Sequence, residues 1–331
     1  MDRLEQLNTW IAQVCPGDTY TIAPASADAS FRRYFRLSFA DGATRIVMDA
    51  PPSHEDCRPF LHVAHLFSDA GVHVPTVFAS DLDQGFLLLS DLGATTYLSA
   101  LTPENASDLY AEALGSLASI QRSSRPGLLP EYDRAHLLRE MELFPVWYID
   151  RHKGLALTDE EKNSLYAVFD TILDVNLAEP KVFVHRDYHS RNLMVSRPNP
   201  GILDFQDAVH GPLTYDLASL FKDAYIHWEE AQTLDWLARY WDAGRKLGLP
   251  VRADFADFHR DYEFMGAQRH IKVLGIFARL WHRDGKEAYL QDMPLVMHYL
   301  RTVCKRYGEL RPLLRLLDKL DPEEVQIGYT F

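Results

Sequence analysis

The first 152 residues contain no lysine; the first lysine is Lys153. Every fixed positive charge in that stretch is therefore an arginine, and Arg32, Arg33, Arg36 and Arg45 cluster within it. Cysteine is scarce too. Cys15, Cys57 and Cys304 are odd in number and scattered, which excludes a disulfide framework and a zinc pattern. A reducing compartment suits such a chain, so the expected location is the cytoplasm. No apolar run approaches the roughly 18 residues of a membrane-spanning helix. The opening "MDRLEQLNTWIAQVCPG" lacks a basic region followed by an apolar core, so it is not expected to be a signal peptide. It reads instead as a short amphipathic helix, with Leu4, Leu7, Trp10, Ile11 and Val14 on one stripe. Basic excess is also missing. Lys and Arg number 34 against 47 Asp and Glu, a net charge of −13. That balance removes the electrostatic footprint nucleic-acid binding requires. Neither nucleic acid nor membrane is an expected partner, and the chain is expected to be a monomer.

What is present is ordinary globular material. The 331 residues are 47% hydrophobic and 24% charged, enough for one bilobal unit or two domains. "TYTIAP", "FRRYFRLSF" and "TRIVMDA" read as strands, with Asp41-Gly42 as the hairpin turn between the last two. "SHEDCRPFLHVAHLFSDAG" reads as a helix ending near Gly71, and "VPTVFASD" and "GFLLLSDLG" as two further strands. From about residue 93 the patterns become helical: "PENASDLYAEALGSLASIQRS", "LLREMELFPVWYIDRH", "DEEKNSLYAVFDTILDVNLAE" and most of residues 215–320. Three short apolar runs, "KVFVHRD", "NLMVS" and "PGILDFQDA", interrupt them. The expected fold class is α+β, with a small β-rich lobe at 1–92 and a larger, mostly helical lobe at 93–331. The link between them is predicted near residues 90–92.

The chemistry concentrates in "FVHRDYHSRNLMV", residues 183–195. His185-x-Asp187 is followed by four residues and Asn192, and Asp204 follows twelve residues later after an apolar run. In phosphoryl transfer an Asp at the first position orients the accepting hydroxyl and takes its proton. An Asn shortly after it and an Asp beyond the next strand hold Mg²⁺ on the nucleotide phosphates. Mg²⁺ is a hard ion that takes oxygen ligands and few protein carboxylates. A metallohydrolase is the competing reading. On a strand His185, Asp187 and His189 would share a face and could ligate a metal. Asn192 and Asp204 suit Mg²⁺ and a nucleotide better.

"VHRDYHSRNLM" together with "ILDFQDAVHGPLTYDLASL" resembles the phosphotransferase family of aminoglycoside and choline kinases, which share the protein-kinase-like fold. The likeness covers nearly the whole chain. "ADASFRRYFRL", "IVMDAPP" and "QRHIKVLGIFARL" extend it to bacterial kinases that phosphorylate the anomeric hydroxyl of N-acetylmuramate and N-acetylglucosamine in cell-wall recycling. The resemblance implies Asp187 as catalytic base, Asn192 and Asp204 as Mg²⁺ ligands, and ATP as phosphoryl donor. It implies that His185 and Asp216 support the loop, and that the backbone of Ser90, Asp91 and Leu92 meets the adenine.

The departures from the family pattern shape the remaining expectations. The turn matching the nucleotide loop is "PASADASF", without glycine; Ser26, Asp28 and Ser30 are its candidate shapers. The phosphate-clamping lysine at the end of the third strand is replaced by Met48. Strand alternation puts Phe31, Arg33, Phe35, Leu37 and Phe39 on one face, and Arg32, Tyr34, Arg36 and Ser38 on the other. An arginine on an inward apolar face needs an anion, which makes Arg33 the first candidate clamp and Arg45 the second. The alternative is that both are solvated edge charges. For the acceptor, His189 and Arg191 lie between Asp187 and Asn192, and Glu263, Gln268, Arg269 and Lys272 lie on a later helix. A basic loop suits the lactyl carboxylate of N-acetylmuramate, which an Arg fork can grip with two hydrogen bonds. Arg191 as a surface charge, and Glu263 with Arg269 as a salt-bridged helix face, are the bland alternatives. A different small acceptor and a non-catalytic nucleotide-binding module also remain open. A protein kinase is disfavoured, because no A-P-E sequence follows Asp204.

Overall fold

The computed structural model describes residues 2–27 and 31–322. Ser30 and Asp28, expected to shape the nucleotide turn, lie outside the described residues. The chain divides into two compact units, Met1–Ile120 with Arg191–Ala208, and Gln121–Ser190 with Val209–Phe331. This packing division differs from the expected lobes at residue 92, because residues 93–120 and 191–208 group with the strands.

The first unit begins with α1 (Arg3–Val14), started by a capping box in which Asp2 and Glu5 satisfy each other's backbone N–H groups. Five strands follow: β1 (Tyr20–Ala27), β2 (Arg33–Phe39), β3 (Thr44–Asp49), β4 (Val77–Asp81) and β5 (Phe86–Ser90), with α2 (Arg58–Asp69) between β3 and β4. They form one antiparallel sheet in the order β1-β2-β3-β5-β4. The β2–β3 turn is the expected one; Asp41 accepts the Ala43 N–H and Gly42 takes φ +86°. Leu7, Trp10 and Ile11 of α1 bury against Leu37, Val47, Phe86 and Leu88, so α1 covers one face of the sheet. The helix α2 starts at Arg58 rather than near Ser53, with Pro59 in its first turn, where a missing N–H costs nothing. The unit continues through α3 (Tyr97–Ala100) and most of α4 (Ala106–Arg122), and is completed by the hairpin of β7 (Leu193–Met194) and β8 (Gly201–Ile202).

The second unit holds α5 (Arg134–Met141), α6 (Asp159–Leu177), and β6 (Lys181–Val184) paired with β9 (Val209–Pro212). Beyond these lie α7 (Tyr215–Phe221), α8 (Glu230–Lys246), α9 (Phe255–Asp284), α10 (Met293–Arg306) and α11 (Arg311–Leu320). The stretch expected as one helix, "LLREMELFPVWYIDRH", is α5 followed by a π-helical segment at Phe144–His152 with Pro145 in its first turn. Gly275 of α9 accommodates that segment, since a Cβ there would stand 2.5 Å from the Leu143 carbonyl carbon. The 30-residue α9 is buried over most of its length, including Asp261, Glu263, Gln268, Arg269, His270 and Lys272. Buried charges need partners, and those of α9 lead to the functional loop.

Candidate functional site

The loop after β6 turns sharply. Arg186 has φ +78°, and Asp204, further along the motif, has φ +60°. They are the two non-glycine residues of the described chain with positive φ, a conformation that costs energy and clusters at functional sites. Asp216 near the start of α7 holds the first turn. Its fully buried carboxylate accepts the His185 N–H at 2.7 Å and the Arg186 N–H at 3.0 Å. Burial pushes its pKa up to about 7 against the pull of those donors. Asp216 therefore spends its side chain on the loop rather than on capping α7. His185 Nδ1 accepts the Asp187 N–H at 3.2 Å.

Asp187 itself is ringed by cations. Arg269 Nη1 lies 3.8 Å from its Oδ1 and donates to the Arg186 carbonyl at 3.1 Å. Lys272 Nζ donates to the Tyr215 hydroxyl at 3.0 Å and pairs with Glu140 at 3.1 Å. Glu140 also takes the Arg186 guanidinium and the Tyr132 hydroxyl. Burial raises the Asp187 pKa, but Lys272, Arg269, His189 and Arg186 outweigh it and hold the carboxyl well below the usual carboxylate range. Glu140 follows the same logic: burial opposes ionisation, yet Lys272 and Arg186 lower it to about 2. At neutral pH Asp187 is thus an ionised hydrogen-bond acceptor, weakly basic and rigidly placed. That suits a group that orients a hydroxyl and takes its proton late.

The remaining acceptor candidates separate. His189 donates its backbone N–H to the Asp187 carbonyl at 3.0 Å, and its ring packs edge-on against Tyr225. Arg191 is exposed. Glu263 pairs with Lys222 at 2.7 Å and Arg306 at 2.8 Å rather than with Arg269. It borders a cavity of about 90 Å³ whose lining does not include Asp187. His185, Asp187 and His189 do not form a metal trio. Strand β6 ends at Val184, so the alternation that would align them is absent. No group of three or more His, Cys, Asp or Glu side chains among the described residues is arranged for a metal.

In the first unit Asn192 Nδ2 lies 3.4 Å from Asp204 Oδ2, and Gln206 Nε2 donates to Asp204 Oδ1 at 2.8 Å. Gln206 Oε1 is buried without a hydrogen-bond partner. Carboxylate and amide oxygens, one of them orphaned, are the donor set a hard Mg²⁺ and its waters take. Phe205, next to Asp204, is fully buried against Phe60 and Phe67 of α2. Ser90 Oγ accepts the Thr76 N–H at 2.8 Å. Asp91 takes Arg36 through both oxygens and also accepts the Gly93 N–H. Leu92 packs against Gly201, where a Cβ would come within 2.9 Å of it. The side chains of this segment are spent on structure.

The two candidate clamps are placed elsewhere. Arg33 pairs with the fully buried Asp49, as does Arg3 of α1. Arg45 lies over Phe39 and Phe78, with its Nη1 3.9 Å from the Cys15 sulfur. Both belong to the α1-covered face. Arg33 opposes Asp49, which opposes Phe86, and Arg45 opposes Leu37. The inward apolar face identified from alternation is real, but its anion is Asp49.

The family model described as "Phosphotransferase enzyme family" matches residues 21–257. The chain belongs to this phosphotransferase family. A relative from Neisseria meningitidis, named N-acetylmuramate/N-acetylglucosamine kinase, is 48% identical over 336 aligned residues, covering 100% of both chains. One of the same name from Pseudomonas aeruginosa is 49% identical, covering 96% of this chain and 97% of the other. Among solved structures, the choline kinase of Streptococcus pneumoniae covers 91% of this chain and 100% of its own at a TM-score of 0.66. At 12% identity it shows the shared fold alone. Within this phosphotransferase, sequence reasoning missed Glu140, Asp49 and Tyr215. The available signal for the first two was an acid inside an otherwise apolar helix stripe or strand end.

Proposed function

We propose that this phosphotransferase is an ATP-dependent kinase of N-acetylmuramate and N-acetylglucosamine. It phosphorylates the anomeric hydroxyl in the cytoplasm during cell-wall recycling. The full-length likeness to kinases of that name supports the acceptor. The observation that carries the chemistry is the ionised, cation-ringed Asp187 on its pinned turn. Asp187 accepts a hydrogen bond from the sugar hydroxyl and takes its proton. The sugar oxygen attacks the γ-phosphorus in line, the bond to the β-bridging oxygen breaks, and ADP leaves. Asn192 and Asp204 would hold Mg²⁺, with Gln206 beside them, and the ion would supply charge neutralisation at the nucleotide phosphates. The backbone of Ser90, Asp91 and Leu92 receives the adenine, so residues 1–92 act as the nucleotide lobe and 93–331 as the catalytic lobe.

Charge supports the acceptor class. Arg186, Arg269 and Lys272 gather near Asp187; Glu140 is the counter-ion of Arg186 and Lys272, and Arg269 faces Asp187 itself. Such surroundings favour the carboxylate of N-acetylmuramate and disfavour a polycationic aminoglycoside. Arg269, His189 and Arg191 are the residues we assign to the sugar; Glu263, committed to Lys222 and Arg306, shapes the neighbouring cavity. The test is incubation with Mg-ATP and N-acetylmuramate, N-acetylglucosamine or kanamycin, followed by ³¹P NMR. The expected products are the two sugar 1-phosphates. Phosphorylated kanamycin, or phosphate at another sugar position, would refute the acceptor assignment. Asp187→Asn is expected to abolish transfer while nucleotide still binds; surviving turnover would remove Asp187 from its role.

A further inference from the structure

The lysine-free first unit must meet nucleotide phosphates with some other cation. We propose that Arg32 is that group, binding the phosphates beside the Asn192–Asp204 metal site. This rests on the proposed reading of that site.

Four neighbouring arginines meet partners away from Asp204. Arg3 and Arg33 share Asp49, Arg45 lies between Phe39 and Phe78, and Arg36 grips Asp91 and donates to the Gly93 carbonyl. Arg32 differs in place. It immediately precedes β2 and, by alternation, projects opposite to Arg33, away from the face that α1 covers. Tyr34 and Arg36 share its side, and Tyr34 opposes Met48, the residue where the family pattern has its lysine. The Arg32 side chain is 11% exposed, and its Nη2 stands 3.8 Å from Asp204 Oδ1.

That spacing is an ion pair beyond hydrogen-bond length. With Mg²⁺ on Asp204, one carboxylate would face a guanidinium and a divalent ion, three positive charges against one, so a further anion would be favoured between them. A phosphate oxygen is such an anion, and the planar fork of Arg suits it. Arg32 thus supplies from the start of β2 the charge that Met48 cannot supply from β3.

The test is calorimetric binding to the full-length protein, without sugar, of two probes: Mg²⁺ with the nonhydrolysable analogue adenylyl imidodiphosphate, and adenosine. Arg32→Ala is expected to weaken the analogue about ten- to hundred-fold, the size of a charged hydrogen bond, and to leave adenosine unchanged. Arg32→Lys is expected to restore part of the loss and serves as the second variant if Arg32→Ala misfolds. Wild-type affinity for the analogue in Arg32→Ala, or an equal loss for adenosine, would overturn the proposal. So would a complete failure of Arg32→Lys to restore binding when it folds. Asp204→Asn separates the two readings. If it keeps the wild-type Mg²⁺ dependence of analogue binding, the metal site is misassigned. If it loses that dependence while Arg32→Ala binds normally, only the Arg32 assignment falls.

Discussion

Glu140→Gln removes one negative charge and keeps the side-chain shape. Glu140 is 8% exposed and is the shared partner of Lys272, at 3.1 Å, and Arg186. The substitution leaves two buried cations facing a neutral amide. Breaking a buried pair by deleting one partner costs about 3–5 kcal/mol. The pKa gives an independent figure: a carboxyl held at about 2 instead of 4.5 corresponds to about 3.4 kcal/mol favouring the ionised folded state. The two agree, so a fall in Tm of roughly 5–10 °C is expected at pH 7 for a chain of this size. The pH dependence has a definite sign. A depressed folded-state pKa stabilises fully above the unfolded value near 4.5, and that stabilisation is lost as pH falls toward 2. The gap between wild type and Glu140→Gln should therefore be widest at neutral pH and narrow between pH 4.5 and 3. Thermal melts followed by circular dichroism across that range are the assay. An unchanged Tm at pH 7, or a gap that does not shrink on acidification, would refute the idea that Glu140 stabilises as a charge.

Asp216→Ala strips the acceptor from the His185 and Arg186 N–H groups. Each buried unsatisfied donor costs about 1–3 kcal/mol. The expected result is at least a ten-fold fall in kcat with a smaller change in nucleotide affinity; equal losses in both would point to general unfolding. Gly275→Val drives side-chain atoms into the Leu143–Phe144 backbone, which a Cβ alone would approach to 2.5 Å. It should cost about 3 kcal/mol or more, read as a lower urea midpoint at unchanged slope.

Much of this molecule was legible in its sequence, and the gaps have physical causes. The five strands and the Asp41-Gly42 turn follow from alternation and local turn chemistry, which involve neighbours only. The supporting role of Asp216 was also legible, because its position in "LTYDLASL" belongs to a motif. The pairing of Arg33 was not. Alternation sorts β2 into two faces but cannot tell which face α1 will cover, and Asp49 sits 16 residues away on the next strand. The partners of Glu140 were out of reach for a stronger reason. Glu140 meets Arg186 across 46 residues, and only the packing of α5 against α9 brings Lys272 to the same carboxylate. The π-helical segment escaped because the apolar stripe of "LLREMELFPVWYIDRH" continues through Pro145 while the hydrogen-bond register changes.

The two strained turns explain why polar side chains remain where glycine would be easier. A positive φ costs a non-glycine residue about 1–3 kcal/mol, and glycine at 186 or 204 would relieve it. Glycine at 186 would also delete the guanidinium that pairs with Glu140 and adds to the charge lowering the Asp187 pKa. Glycine at 204 would delete the carboxylate that meets Asn192, Gln206 and Arg32. In both places the left-handed turn coincides with a side chain that makes these contacts. The strain is held in place by neighbours: Asp216 grips the backbone at 185–186, while Phe205 anchors the other turn between Phe60 and Phe67. Under the proposed reading, strain at Arg186 supports the charge around Asp187, and strain at Asp204 places the proposed metal ligand.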